Sequence, residues 1–314
     1  MPWVVSTECN YTDDERRRRL YAGEVFCIPP RESVKALCDF AYEMIADAFC
    51  GYDPLTAHND LAVEEYVNIL KPLKPGFTHH PKSKELLRAI LIDLGAEPTK
   101  TYFDLPKLRV VPPSAYLSAG LGYNYKAHRD TWYSAPQCQN NWWTPIAGNS
   151  AVTGMQFHPD YWERPVPNSS DDFDAYEWNS TSRRDAANYI KDDPRPHPRV
   201  VMGDPGSELR VVGEPGSILS FSGAQLHSTV PNETNRARLS IDFRTVHIDD
   251  LAALAGPKNV DSRSTGTSVR DYRRADNGEP LAAEIIELYD RDGRNGGVLV
   301  FDPSVLNARQ ISRA

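Results

Sequence analysis

Residues 215–246 read PGSILSFSGAQLHSTVPNETNRARLSIDFRTV and contain two β-rich runs joined by a turn-forming segment. The apolar run at 218–221 leads to His227, and the connection 231–235 then leads into a strand predicted over residues 238–246. A hairpin across this connection would place His227 beside the following strand. The segment therefore predicts an antiparallel β core with a histidine at its edge.

Side-chain alternation along residues 238–246 separates an apolar face from a polar one. The apolar face carries Leu239, Ile241 and Phe243, and the polar face carries Arg238, Ser240, Asp242 and Arg244. Such a polar face is solvent-exposed in many antiparallel sheets. The nearby histidine supports a second interpretation, in which Arg238 holds a carboxylate through two parallel hydrogen bonds and Ser240 adds a third.

A second group of ligand-type residues lies upstream, at His128-Arg129-Asp130. A strand is predicted over residues 118–128, and alternate side chains of a strand share a face, so His128 and Asp130 are expected to point the same way. Two imidazoles and one carboxylate can hold a divalent iron and leave the opposite face open for reactants. His227 is the expected third donor, because the other histidines lie in polar helical or loop-like segments or, like His247, at a strand end.

The rest of the chain predicts a helical layer behind which lies an all-β core. Apolar residues at three- and four-residue spacing predict a helix over 32–49, and further helices are expected at 59–70 and 82–94. Short β-rich runs separated by turn residues begin at residue 101. We expect one domain, 1–314, with a helical layer at 1–100, a core at 101–250 and a C-terminal extension at 251–314. A polar insert at 159–199 interrupts the core, and its length is typical of a functional lid.

The overall charge favours a small-molecule partner. The 314 residues include 35 Lys and Arg against 43 Asp and Glu, a net charge of -8, which disfavours nucleic acid and anionic membranes as partners. Five scattered cysteines without metal-ligand spacing, and no run of membrane-spanning length, predict a cytoplasmic protein. The arginine run at 16–19 follows three acidic residues and predicts a solvated helix face.

Together these motifs resemble the Fe(II)/2-oxoglutarate-dependent oxygenases, particularly their phytanoyl-CoA-dioxygenase-like branch. The resemblance covers residues 108–246 and includes the turn at 215–217 before the distal histidine. It implies a mainly β fold, the double-stranded β-helix (jelly roll, cupin-like), with N-terminal helices packed on the sheet and a long inserted lid. The family's segment between the ligands matches residues 152–159 only loosely, so the substrate class stays open.

The resemblance also implies a set of functional residues. His128, Asp130 and His227 would be the iron ligands, and Arg238 and Ser240 would bind the distal carboxylate of 2-oxoglutarate. Asn141, on a predicted neighbouring strand, is a candidate for contact with the C1 carboxylate of the same co-substrate.

The implied activity is hydroxylation of an unactivated C–H bond of a small molecule, either amino-acid-derived or a secondary metabolite. Fe(II), 2-oxoglutarate and O2 would be required, and succinate and CO2 released. Asp130 favours hydroxylation over halogenation, because halogenating relatives carry a small residue in place of the carboxylate ligand.

Other interpretations of the same residues remain open. A cupin-like iron enzyme that does not use 2-oxoglutarate would leave Arg238 and Ser240 with structural roles. A non-catalytic β-barrel binding protein would leave the histidines and the aspartate as ordinary polar groups. A protein kinase, which also contains His-Arg-Asp, is excluded because its catalytic asparagine would fall at Ala135 and no glycine-rich nucleotide loop is present.

Overall fold

The computed structural model describes residues 4–7, 10–123, 125–201, 203, 205–206 and 208–290, so residues 291–314 of the expected C-terminal extension lie outside it. The helices of this part are α1 (Asp13–Tyr21), α2 (Glu32–Phe49), α3 (Val63–His79), α4 (Pro81–Asp93), α5 (Ala175–Ser180), α6 (Ile248–Ala252) and α7 (Ala283–Glu287). The strands are β1 (Val5–Ser6), β2 (Val25–Ile28), β3 (Thr101–Phe103), β4 (Lys107–Val111), β5 (Asn140–Ala147), β6 (Met155–Phe157), β7 (Leu209–Val211), β8 (Ile218–Ser222), β9 (His227–Thr229), β10 (Arg238–His247) and β11 (Arg273–Arg274).

The strands form a large and a small sheet that enclose the core, and all strand pairs are antiparallel except β1 with β2. In the large sheet β10 lies between β4 and β5, and β5 pairs with β8 on its other side. The small sheet has the order β7-β6-β9, and His128 adds a single bridge to His227 at its edge. From β4 to β10 the chain passes repeatedly between the two sheets, which is the strand order of a jelly roll.

Two expectations about the β core are wrong. The helices contain more residues than the strands, so the protein is a mixed α and β structure and not mainly β. His227 and Arg238 do not form a hairpin, because β9 pairs with β6 while β10 belongs to the large sheet. The connection 231–235 instead crosses between the sheets, where Asn232 Nδ2 donates to the carbonyls of Val111 and Arg236.

The N-terminal helices determine which face of β10 points between the sheets. Leu239, Ile241 and Phe243 are completely buried and belong to the same core cluster as the apolar stripe of α2. The alternate side chains of β10 therefore face the small sheet, and the predicted alternation separated the two faces correctly. Burying the apolar face under helices is what leaves arginine and aspartate in the interior.

Two helical segments differ from the sequence-based expectation. α3 continues through Pro72 and Pro75 to His79, whereas a break was expected after residue 70. Leu73 and Phe77 extend its buried stripe, and their burial offsets the hydrogen bonds that the prolines remove.

The insert at 159–199 contains α5 and short 3-10 helices. Within the described residues, no helix has both the length and the apolar character needed to cross a membrane.

Candidate active site

His128 and His227 are brought together by backbone pairing between their segments. The amide of each residue donates to the carbonyl of the other, both at 2.9 Å. The described residues of 118–128 do not form the predicted strand, and Asp130 instead opens a 3-10 helix that ends at Tyr133. The Asp130 amide donates to the Gly223 carbonyl at 2.8 Å. Pairing and a helical turn, not strand alternation, therefore place the two side chains of the His-Arg-Asp motif together.

The side chains of His128, Asp130 and His227 form a buried 2-His-1-carboxylate group. One ligand atom from each residue lies within 4.8 Å of the others. Asp130 Oδ1 is 3.3 Å from His128 Nε2 and 3.7 Å from His227 Nε2. These three atoms converge on one point, as the ligands on one face of a metal ion must.

Hydrogen bonds to backbone carbonyls orient both imidazoles. His128 Nδ1 lies 2.8 Å from the carbonyl oxygen of Lys126, and His227 Nδ1 lies 2.9 Å from that of Gln225. Each Nδ1 can act only as the donor to such an oxygen, so each Nε2 keeps a lone pair. Burial, and then His128, lower the pKa of His227 to about 3, so its imidazole is neutral at physiological pH.

The Asp130 carboxylate is ionised and fixed in orientation. Its Oδ2 accepts a hydrogen bond from Gln139 Nε2 at 2.8 Å and pairs with Arg244 Nε at 3.3 Å. Burial alone would raise the pKa of this carboxyl, but Arg244 and the two imidazoles hold the pKa well below its ordinary value. Oδ1 is thereby left free to face His128 and His227 as an anionic ligand.

Arg238 places a positive charge in the same cavity, where it forms no ion pair with the described residues. It is 2% exposed, and its Nε and Nη1 atoms are buried with no hydrogen bond from the described residues. The guanidinium lies over the Trp143 ring at 5.6 Å from the centroid. Burial lowers the pKa of Arg238 to about 10, so the group stays charged at neutral pH. Buried donors of this kind are costly unless a ligand accepts from them.

The other two residues predicted to bind 2-oxoglutarate, Ser240 and Asn141, differ in whether they line the cavity. Ser240 is fully buried on β10, and its hydroxyl also has no partner among the described residues. Asn141 lines the cavity, with its Oδ1 accepting from Gln139 at 2.7 Å and its Nδ2 left available to a ligand. Ser240 itself is not among the lining residues.

A network of charges that motif analysis did not identify lies beside the triad. Arg109, on β4, pairs with Asp242 through both carboxylate oxygens and donates to the Tyr125 hydroxyl at 3.1 Å. Arg244 bridges Asp242 at 3.1 Å to Asp130. Alternation on β10 singled out Asp242 and Arg244 as polar, but nothing in the sequence marked Arg109 as their partner.

The cavity and its open mouth together hold about 570 Å³ of space not occupied by protein atoms. Both sheets and the segment before His128 contribute to its wall. The lining residues are Arg109, Val111, Tyr123, Tyr125, His128, Asp130, Asn141, Trp142, Trp143, Met155, Phe221, His227, Thr229, Arg238, Asp242, Phe243 and Arg244. In the described part of the insert 159–199, no residue lines this cavity.

The insert instead packs behind the wall. His197 stacks on Tyr123 with 4.0 Å between ring centroids, and its Nδ1 lies 3.2 Å from the Tyr133 hydroxyl. Trp178 contacts the other side of this group, 4.7 Å from His197. The insert therefore supports the cavity wall from outside.

Comparisons with known proteins yield structural similarities only. No family model matches the chain, and no curated protein matches it. EvdO2 from Micromonospora carbonacea var. aurantiaca is 14% identical, with a TM-score of 0.44 over 77% of this chain and 94% of its own. The non-heme alpha ketoglutarate dependent carbocyclase SnoK from nogalamycin biosynthesis is 14% identical, with a TM-score of 0.42 over 89% and 97%.

The non-heme alpha ketoglutarate dependent epimerase SnoN, also from nogalamycin biosynthesis, is 14% identical, with a TM-score of 0.39 over 75% of this chain and 84% of its own. Similarity at this level does not by itself assign a function. The functional conclusion depends on the buried His-Asp-His group and on Arg238 in the same cavity.

Proposed function

We propose that this protein is an Fe(II)/2-oxoglutarate-dependent oxygenase that hydroxylates an unactivated C–H bond of a small molecule. The observation that carries the proposal is a buried His-Asp-His group in one cavity with a buried arginine, Arg238, whose Nε and Nη1 have no hydrogen-bond partner among the described residues. Two histidines and one carboxylate are the ligand set of non-heme Fe(II) oxygenases. The arginine supplies a binding group for one carboxylate of a dicarboxylate co-substrate.

The residues present fit the metal. Two imidazole nitrogens and one carboxylate oxygen supply three ligands, and Gln139 and Arg244 occupy the other oxygen of Asp130. That arrangement favours a single-oxygen contact from Asp130. His128 and His227 would complete the protein's share of the coordination, and the remaining positions would serve 2-oxoglutarate and O2.

The residues also fit 2-oxoglutarate. The Arg238 guanidinium is suited to hold a carboxylate, since its Nε and Nη1 have no hydrogen bond from the described residues, and the Ser240 hydroxyl is a buried donor further along the same strand. Asn141 Nδ2 is the proposed contact for the C1 carboxylate. Membership of the phytanoyl-CoA-dioxygenase-like branch is part of the proposal.

Bound iron and 2-oxoglutarate would supply oxidative decarboxylation of the co-substrate to succinate and CO2, coupled to oxidation of the substrate. The protein's own side chains bind and orient. Arg238 would fix the distal end of the co-substrate, Arg244 keeps Asp130 ionised, and Gln139 keeps its carboxylate turned toward the histidines. The presence of Asp130 favours hydroxylation over halogenation.

The decisive experiment is anaerobic addition of Fe(II) and 2-oxoglutarate, followed by O2 and measurement of succinate. We expect a visible absorption band from chelated 2-oxoglutarate and slow succinate formation even without substrate. Arg238→Met should raise the 2-oxoglutarate concentration required by about a hundredfold, because it removes a charge-assisted bidentate contact of about 3 kcal/mol. Arg236→Met, on the exposed connection before β10, is the matched control.

The possible outcomes separate the alternatives. Oxygen consumption without succinate would support a 2-oxoglutarate-independent iron enzyme. Absence of Fe(II) binding would support a binding protein and contradict the proposal.

A further inference from the structure

The arginines of the cavity differ in whether they already have acidic partners. Arg109 is held by both oxygens of Asp242, and Arg244 pairs with Asp104 at 3.3 Å as well as with Asp242. Within the described residues, Arg238 alone of the three lining arginines has no acidic partner. The cavity thus offers one free cationic side chain.

Once iron and 2-oxoglutarate are bound, Arg238 would no longer be available to pair with another anion. A divalent metal next to Asp130 leaves one net positive charge, which the C1 carboxylate balances, and the distal carboxylate takes Arg238. A further carboxylate inside the cavity would have to compete with Asp242 for Arg109 or with three aspartates for Arg244. Burying an anion without a cationic partner is strongly unfavourable.

A neighbouring lysine does not alter this balance. Lys74 lies half-buried on α3, outside the cavity lining, and its amine donates to the Leu121 carbonyl. Burial, and then Arg109, lower the pKa of Lys74 to about 7, which disfavours its charged form.

The uncharged residues that line the cavity offer hydrogen-bonding groups and aromatic rings to a ligand. The Tyr125 ring lies 5.4 Å from the His128 ring, next to the triad. Its hydroxyl accepts from Arg109, which leaves the hydroxyl proton free to donate to a ligand. Tyr123, Thr229 and Asn141 also line the cavity.

We propose, on the basis of the function above, that the substrate moiety entering this cavity is an uncharged ring system bearing a hydrogen-bond acceptor, such as a carbonyl, amide or hydroxyl group. The pairing of Arg109 and Arg244 with aspartates is the feature that excludes carboxylates. Free amino acids and other small acids are therefore not the substrates. Neutral derivatives of amino acids and neutral ring-bearing metabolites satisfy the same chemistry.

The test compares two probes of nearly the same shape, phenylacetamide and phenylacetate. Their affinities are measured anaerobically by calorimetry on the full-length protein with Fe(II) and saturating 2-oxoglutarate. We expect phenylacetamide to bind at least about tenfold more tightly than phenylacetate, because only the acid buries an unpaired charge.

A variant that removes the carboxylate paired with Arg109 tests the same inference. Asp242→Asn releases Arg109 as a free cation and should shift the ratio of affinities toward phenylacetate by about tenfold. The absorption band of chelated 2-oxoglutarate reports that this variant is folded, and the wild-type ratio decides the question if it is not. Asp171→Asn, at an exposed site in the insert, is the matched control and should leave the ratio unchanged.

Tighter or equal binding of phenylacetate by the wild type, including no detectable binding of either probe, would overturn this inference. Failure of Fe(II) and 2-oxoglutarate to form their absorption band would instead contradict the proposed function, so the two failures are distinguishable.

Discussion

Asp130 is held by side chains from distant parts of the chain. Gln139 donates to its Oδ2, and the Tyr272 hydroxyl donates in turn to Gln139 Oε1 at 2.6 Å. Gln139 also donates to Asn141, so one amide orients the carboxylate ligand and a lining residue together. Replacing a residue that orients a metal ligand in this way typically weakens metal binding by about 10- to 100-fold.

Gln139→Leu should weaken Fe(II) binding by about 10- to 100-fold, because Asp130 loses the hydrogen bond that fixes its orientation. The measurement is an anaerobic Fe(II) titration in the presence of 2-oxoglutarate. Gln137→Leu changes the same residue type two positions away and has no contact with the triad among the described residues. Equal Fe(II) affinities of the two variants would show that Gln139 does not position the ligand.

At the scale of elements, residues 261–268 form a strap between the metal-ligand segment and the insert. The Asp261 carboxylate accepts from Trp132 Nε1 at 2.8 Å and from the Val166 amide at 3.0 Å, and it pairs with Arg129 at 3.1 Å. Arg129 also donates to carbonyl groups of the insert. The middle residue of the His-Arg-Asp motif therefore anchors the motif to its surroundings.

Asp261→Asn should lower the free energy of unfolding by about 3 to 5 kcal/mol, because it leaves the Arg129 charge buried without its partner. Urea unfolding provides the measurement. Asp171→Asn removes the partner of exposed Arg263, at 3.2 Å, and should cost less than about 1 kcal/mol. Similar losses in both variants would mean that the strap is not a point of attachment.

At the scale of the whole molecule, α1 attaches the N-terminal layer to the far end of β10. Arg17 pairs with Asp13 at 2.9 Å and with Asp250, which also accepts from the Tyr21 hydroxyl at 2.7 Å. Arg16 and Arg17 are buried, so the prediction of a solvated helix face holds only for Arg18 and Arg19. Two of the four arginines, Arg16 and Arg17, lie on the side of α1 that faces the core, because neighbouring residues of a helix point in different directions.

Arg17→Met should destabilise the protein by about 3 kcal/mol, since it leaves Asp250 without its cation in a poorly solvated position. Arg18→Met makes the same change on the exposed side of the same helix and should alter stability by less than about 0.5 kcal/mol. Thermal unfolding of both variants is the measurement. A larger loss for Arg18→Met would contradict the docking role of Arg17.

Local patterns predicted the features that depend on one element at a time. The apolar spacing at 32–49 predicted α2, and alternation at 238–246 predicted both β10 and the opposite orientations of Leu239 and Arg238. Burial of one face follows directly from periodicity. The triad and Arg238 were identified because their residue types and order are unusual as a set.

Features that depend on pairing between distant segments were decided only by the tertiary structure. The partner of β9, the 3-10 turn at Asp130 and the contacts of Arg109 and Gln139 all depend on which segments meet across the two sheets. A strand's own side chains determine which face is apolar, but its neighbour is selected by the packing of the whole chain. Residue types and strand alternation therefore identified the candidate ligands and the polar face, whereas contacts between distant segments determine which charges are already paired within the cavity.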